Sequence, residues 1–342
     1  MDAKITKNRL KELFSYDWLK IAACVMALIF AWVMIFELTE TRIKPSQRFT
    51  VFNHMQNTTI NLQRENRIKA ALQDDAFSSE VMEFAYQDLN SAGMYSHETI
   101  LSYLGVSDGD IMLVPNKPNP SSGSKLDNEG NAIEGEYKYT YPESLVNPYR
   151  QYIVDLNPET EGSYFYQLEA YLNAFYDQGW EVENSINTQK IEQAFRARVQ
   201  QNKDKRYRTE ALLSAAIPSE IERIEKYRDA YEKLCGWLDD GLIKFNEVSH
   251  VTDDMEGYGE PFDGILSLNI CPDESRMDNL QNYYSVTNYR YSESGEIIGT
   301  ESYTAQDMSV VFFHNPEQDA SFEYEGLLYV VWLIEKGMTV VS

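Results

Sequence analysis

The residues best placed for chemistry are one helix-like run and several groups of carboxylates. His97-Glu98-Thr99-Ile100-Leu101 begins like the zinc-binding His-Glu-x-x-His helix, in which two imidazoles one turn apart grip the metal. Leu101 stands where the second imidazole is needed, so the pair is lost. Asp108 and Asp110 are two carboxylates of the kind that cleave glycosidic bonds once a fold sets their separation. Asp127-Asn128-Glu129-Gly130-Asn131 and Asp253-Asp254-Met255-Glu256 offer hard oxygen donors for Ca²⁺. Neither fits the twelve-residue calcium loop. Counted from Asp127, Ala132 takes the glycine position and Lys138 the closing glutamate position; counted from Asp253, Tyr258 takes the glycine position. Gly257-Tyr258-Gly259 leads to Phe262 in place of a third glycine, which excludes a dinucleotide loop. His54, His97, His250 and His314 are scattered. These residues together describe a chain without catalysis, without a bound metal and without a cofactor.

The scaffold that must position such residues is announced by charge. Against 30 Lys and Arg stand 54 Asp and Glu, a net charge of −24 over 342 residues. A duplex-binding surface needs surplus cations to displace counterions, so nucleic acid is excluded as principal ligand. The 24 Tyr, 15 Phe and 5 Trp suffice to close a core of one large or two modest domains. Through Lys44 the balance is +2, which leaves −26 for the rest of the chain. Near the junction of these regimes, residues 21–36 carry no charge, and residues 18–38 add only Lys20 and Glu37. A helix of about 20 residues spans the roughly 30 Å hydrocarbon core of a bilayer, with Lys20 reaching the headgroups. The exit Ile35-Phe36-Glu37-Leu38-Thr39-Glu40 lacks the small residues of a cleavage site, and the run lacks the polar face of a core helix. Residues 18–38 therefore read as an uncleaved signal anchor whose partner is the lipid bilayer. Five Lys and Arg lie at or before Lys20, against Arg42, Lys44 and Arg48 after the span, which places residues 1–17 in the cytoplasm and the C-terminal domain outside the cell. Cys24 lies within the span. Cys235 and Cys271 are the pair that an oxidising compartment permits to form a disulfide.

After a stalk at residues 39–47, residues 48–342 read as the outer domain. The segment 48–116 alternates: a strand at Arg48–Asn53, a helix at 62–72, a strand at 80–86, a helix at 97–104 and a strand at 110–114. This βαβαβ order predicts parallel strands whose carboxyl ends border a ligand crevice, with Asn53, Asp88, Asn90 and Asn116 on its rim. Residues 117–162 form a loop-rich excursion, dense in Pro, Gly, Ser and Asn at 117–135. Residues 163–240 are helical, and their clearest helix begins at a Ser219-x-x-Glu222 capping box. Residues 260–342 return to strands at 264–270, 283–291, 296–300 and 308–314, with a turn at Ser294-Gly295, and close with a buried helix at 322–336 ending near Gly337. Most tyrosines fall in these stripes and read as core, not as a platform for sugars.

Two stretches add a resemblance. Thr41-Arg42-Ile43-Lys44-Pro45-Ser46-Gln47-Arg48-Phe49-Thr50-Val51-Phe52-Asn53 resembles a family of uncharacterised single-pass membrane proteins of Gram-positive bacteria. Gly105-Val106-Ser107-Asp108-Gly109-Asp110-Ile111-Met112-Leu113-Val114 is similar to the helix, acidic turn and third strand of extracellular solute-binding proteins. The resemblance covers residues 41–114 and implies a periplasmic-binding-protein-like, two-lobed α/β domain with a parallel-rich sheet, a helical middle section and an inter-lobe cleft. The lipobox cysteine of free solute-binding lipoproteins is replaced by a cysteine within the apolar helix, Cys24, which favours a tethered sensor or accessory role. The expectation is a membrane-anchored extracytoplasmic protein that binds or senses a small molecule. The alternatives are a structural or accessory envelope protein that works through protein contacts, with a transporter among its partners, and a hydrolase of wall polymers.

Overall fold

Strands that are apolar on both faces must be covered on both faces, and the order of elements shows how this chain covers them. The computed structural model describes residues 18–39, 43, 47–54, 69–89, 95–251, 261–277, 279–280, 286–292, 294, 296–303, 308–314 and 324–338. Along the chain run α1 (Trp18–Thr39), β1 (Arg48–Asn53), α2 (Ala70–Gln73), β2 (Glu83–Asp88), α3 (Ser96–Leu104) and β3 (Ile111–Pro115). Then come β4 (Ser124–Leu126), β5 (Ala132–Tyr137), α4 (Tyr141–Tyr149), α5 (Tyr164–Asn173), α6 (Thr188–Asn202) and α7 (Glu210–Asp239). The last third holds β6 (Lys244–Val251), β7 (Phe262–Asn269), β8 (Val286–Tyr291), β9 (Ile297–Tyr303), β10 (Met308–Phe312) and α8 (Glu325–Gly337).

Residues 1–42 and 43–342 form two compact units. The first contains α1, whose window Trp18–Phe36 has a mean hydropathy of 2.4 and no buried residues. By length and composition it is able to cross a membrane.

The second unit is built on one six-stranded sheet of order β2-β1-β3-β10-β7-β6. β1 pairs in parallel with β2 (Phe49 opposite Phe84) and with β3 (Phe52 opposite Met112), so the expected βαβαβ order is present. The sheet is mixed, not parallel-rich: β10 runs antiparallel to both β3 and β7, and β6 antiparallel to β7. The expected division into two lobes is not seen either, since residues 43–342 form one unit. Its physical cause is β10, which wedges the C-terminal third of the chain into the middle of the sheet that residues 48–115 began.

Alternate residues of the central strands enter opposite cores. Phe49, Val51, Ile111, Leu113, Val310 and Phe312 join one; Phe52, Met112, Val114 and Val311 join the other. The larger core is covered by α5, α7 and α8, the smaller by α3 and α4. Helix α8 buries 11 of its 13 residues, as its all-round apolar run predicts. It sits close on the sheet at Gly326, where an added Cβ would lie 3.1 Å from the Phe312 ring and 3.3 Å from Ile111.

Several boundaries differ from expectation for physical reasons. β2 starts at Glu83, because Ser78 and Glu80 leave the strand direction to meet Glu325 and Arg206. The excursion at 117–162 contains the hairpin β4–β5 and helix α4, the latter opened by a Thr140–Glu143 capping box. β6 is an edge strand whose Lys244, Asn246, Glu247 and Ser249 hid it from a search for apolar runs. α7 begins at Thr209, which caps Leu212, and runs on through Pro218 and Ser219, so Ser219 is no cap. Pro218 is exposed, so the Ser214 carbonyl that loses its helical partner there faces water. Cys235 and Cys271 are free thiols packed at the same core, not a disulfide. The backbone of β8 and β9 forms the expected hairpin. Residues 1–17, most of the expected stalk, residues 62–68 of the first expected helix, Asn90, the acidic run at 253–256 and Gly295 lie outside the described residues.

Candidate functional site

Of the expected rim residues, Asn53, Asp88 and Asn116 stand at the carboxyl ends of β1, β2 and β3, and Asn90 lies outside the described residues. Asn53 and Asp88 face each other at the ends of β1 and β2, with Asn53 Nδ2 donating to Asp88 Oδ1 over 3.4 Å. Asn116 turns the other way along the sheet. Its Nδ2 donates to Asn246 Oδ1 at 3.0 Å, and Asn246 Nδ2 in turn donates to Ser267 Oγ and Ser309 Oγ, both at 2.8 Å. This chain of hydrogen bonds ties β3, β10, β7 and β6 together across their faces, so Asn116 serves the sheet.

The carboxylates singled out in the sequence are also committed to structure. Asp108 accepts from Arg48 at 2.8 Å and from Thr50 Oγ1, while Asp110 accepts from the Thr50 backbone N–H at 2.7 Å. They pin the turn before β3 onto β1. Gly109 between them has φ +153 and would bring a Cβ within 2.6 Å of the Phe52 ring. The same turn, Gly105-Val106-Ser107-Asp108-Gly109, has the spelling of a nucleophile elbow, and Ser107 takes φ +60. An elbow leads from a strand into a helix; this turn leads from α3 into β3, with Ser107 6% exposed. Asp127 closes the β4–β5 turn by accepting the N–H groups of Glu129 and Asn131. His97 pairs with the Tyr149 hydroxyl at 3.0 Å. Among the described residues no group of three or more His, Cys, Asp or Glu is placed to hold a metal.

A cavity of about 300 Å³ opens at the opposite end of the sheet. It lies where β10 ends, beside the amino end of β3, since Phe312 pairs with Ile111 and the Phe313 N–H donates to Asp110 O. Its walls are made by a strap, residues 150–155, that leaves α4. His314 N–H donates to Tyr152 O and Val154 N–H to Phe312 O, which zips the strap to β10. One residue on, the Leu156 N–H donates to Ile265 O, and Asp155 Oδ1 accepts from the N–H groups of Ile265 and Asn157, which ties the strap to β7. Ser163 caps α5, and its first turn supplies Tyr164 and Gln167 to the wall.

The floor is apolar and aromatic: Ile153, Tyr164, Phe313 and Tyr324 are all buried. The rim carries Arg150, Gln151, Gln167 and His314. Arg150 lies 4.9 Å from the centroid of the Phe262 ring and has no carboxylate partner among the described residues. Asp155 is the wall's own carboxylate, but it is packed against Gly264, where φ is +143 and an added Cβ would fall 2.7 Å from the carboxylate. Gly264→Ala should therefore push Asp155 off the backbone of β7. The expected loss is about 2 kcal/mol of stability, read from the urea midpoint of the full chain in detergent; an unchanged midpoint would show that the strap is not held by Asp155.

Behind the floor is a buried polar network. The Tyr324 ring lies 5.5 Å from Tyr164, 5.4 Å from Tyr171 and 5.7 Å from Tyr227. Next to it Glu325 accepts from Ser78 N–H at 3.0 Å, from the Ser78 hydroxyl and from the Tyr227 hydroxyl at 2.6 Å. Arg223 donates to Tyr227, Tyr171 and Glu220; Glu220 pairs with Arg198 at 3.0 Å, and Glu80 with Arg206. Burial holds the Glu325 carboxyl above its ordinary value, against the hydrogen bonds from Ser78 and Tyr227 that favour its charge. Burial likewise raises the Tyr227 hydroxyl. Arg223, Tyr227 and Glu325 are buried and none of them lines the cavity, so the network acts as a clamp joining α6, α7, α8 and the 75–80 turn.

The sequence pointed to the carboxyl ends of β1–β3 and missed the cavity, whose strap fell inside the excursion at 117–162. The signal was present: Thr140-Tyr141-Pro142-Glu143 is a capping box with proline in the first turn, which marks a helix and places Arg150 at its exit. Compared with protein-family models, curated proteins and solved structures, the chain matches none.

Proposed function

We propose that the chain is a membrane-anchored protein whose outer unit captures or senses a small molecule, without catalysis, in the cavity between the strap, β10 and α5. The observation that carries this reading is the composition of that cavity: an aromatic floor, a polar rim and a guanidinium with no carboxylate partner among the described residues, in about 300 Å³. Small-molecule sites are commonly apolar pockets of about 300–1,000 Å³ with a few polar groups that fix orientation. The anchor is α1, supported by its length, its apolar composition and an exit without small residues. The flanking Lys and Arg support a cytoplasmic N-terminus and an outer unit facing away from the cell.

A ligand that binds only the folded state raises its melting temperature by mass action. Full chain in nanodiscs, screened against a library of metabolites and sugars, should show at least one compound that raises the melting temperature by several degrees. A flat response across the library would count against ligand capture.

A further inference from the structure

We infer that the ligand of this cavity is a small organic anion, with a carboxylate seated at Arg150 and a flat ring or short apolar body against Tyr164, Phe313 and Tyr324. The inference rests on reading the cavity as a ligand seat and adds the chemical class. In a chain of net charge −24, a rim arginine without a carboxylate partner among the described residues needs a reason. Its guanidinium carbon lies 4.9 Å over the Phe262 ring centroid, and a guanidinium carries paired N–H donors that suit a bidentate carboxylate. The first turn of α5 lines the same cavity, so the positive end of its backbone dipole adds to the field.

The other ligand classes fit less well. A cation would meet Arg150 and find Asp155 already accepting from two backbone N–H groups through Oδ1. A neutral ligand that covered Arg150 would strip water from a charge and give nothing back, a cost that a carboxylate offsets. The body is set by the floor: the Tyr164 and Tyr324 rings meet at 5.5 Å beside Phe313 and Ile153, a surface for a ring and not for an extended polar chain.

The test uses benzoate, benzamide and benzylamine, close in size and different in charge, with glucuronate and glucose as a second pair that keeps the charge difference without the flat ring. Titration calorimetry on the full chain in nanodiscs should give at least one anion binding at least tenfold more tightly than its matched neutral or cationic probes. Arg150→Gln should remove that preference, and Arg150→Lys should keep part of it. Both variants should melt like the parent without ligand, because Arg150 is exposed. Equal binding of anion and neutral probe, or a preference that survives Arg150→Gln, overturns the anion inference while leaving a ligand seat in place. Binding by no probe of either series also overturns it, and the reading of the cavity itself falls only if the wider metabolite library is silent too.

Discussion

Arg223→Leu is expected to remove about 3–5 kcal/mol from the unfolding free energy, the largest single loss outside the apolar core. The Arg223 side chain has no exposed surface, and it is the donor that links Glu220 to Tyr171 and Tyr227. Taking away one partner of a buried pair leaves the other desolvated and unpaid, which is why such losses exceed those of surface pairs. Glu220 would keep Arg198 at 3.0 Å, so the lower half of the range is the better expectation. In a domain of this size that corresponds to a fall in melting temperature of roughly 10 °C, measured on the full chain in detergent by tyrosine and tryptophan fluorescence. A loss below about 1 kcal/mol would mean that the network is solvated and does not clamp α7 to its neighbours.

The second large effect is at Glu325, where leucine and glutamine should part company. Glu325→Leu orphans the Ser78 N–H and two hydroxyls in a closed core and should cost about 3 kcal/mol. Glu325→Gln keeps an oxygen for the Ser78 N–H and turns its amide nitrogen to the two hydroxyl oxygens, whose own O–H donors then lose their acceptor, so it should cost less than leucine without being neutral. It also removes a charge that burial disfavours. The sign of the pH effect follows from the raised folded-state pKa. A carboxyl held above its unfolded value contributes stability that is present in full below the ordinary glutamate range and is lost as pH rises through the raised value. The parent should therefore lose stability relative to Glu325→Gln as pH climbs from 4.5, with the gap levelling off once Glu325 is ionised in the folded protein. Urea midpoints of the two proteins that track in parallel from pH 4.5 to pH 8 would contradict a raised Glu325.

How much of this was legible in sequence depended on whether a feature is local. β1 was found at its true bounds because RFTVFN carries its β propensity within six residues. The closing helix was found because an apolar run with no polar face has one destination in a domain, its interior. The sheet order was not legible, since nothing in MSVVF says that β10 inserts between β3 and β7 and turns a parallel sheet into a mixed one. The buried network was hidden for the same reason. Ser78, Tyr227 and Glu325 meet across more than 90 positions of chain, and each looks ordinary among its sequence neighbours. The cavity was not legible because the crevice rule for parallel sheets points to the carboxyl ends of β1–β3. There Asn116 is spent on Asn246, while the antiparallel β10 carries Phe313 and His314 to the other end.

The central claim is that the cavity is a ligand seat and not a packing gap, and Gln167→Trp tests it most directly. Gln167 lies on the exposed side of the first turn of α5 and lines the cavity, so an indole there fills the space without entering the core. The full chain and this variant should be compared in nanodiscs, by melting temperature, against the same metabolite library. The account predicts at least one small molecule that raises the melting temperature of the parent by several degrees and has no effect on Gln167→Trp, while the two proteins melt within a few degrees of each other without ligand. No stabilising compound for the parent, or equal stabilisation of both proteins, would contradict it.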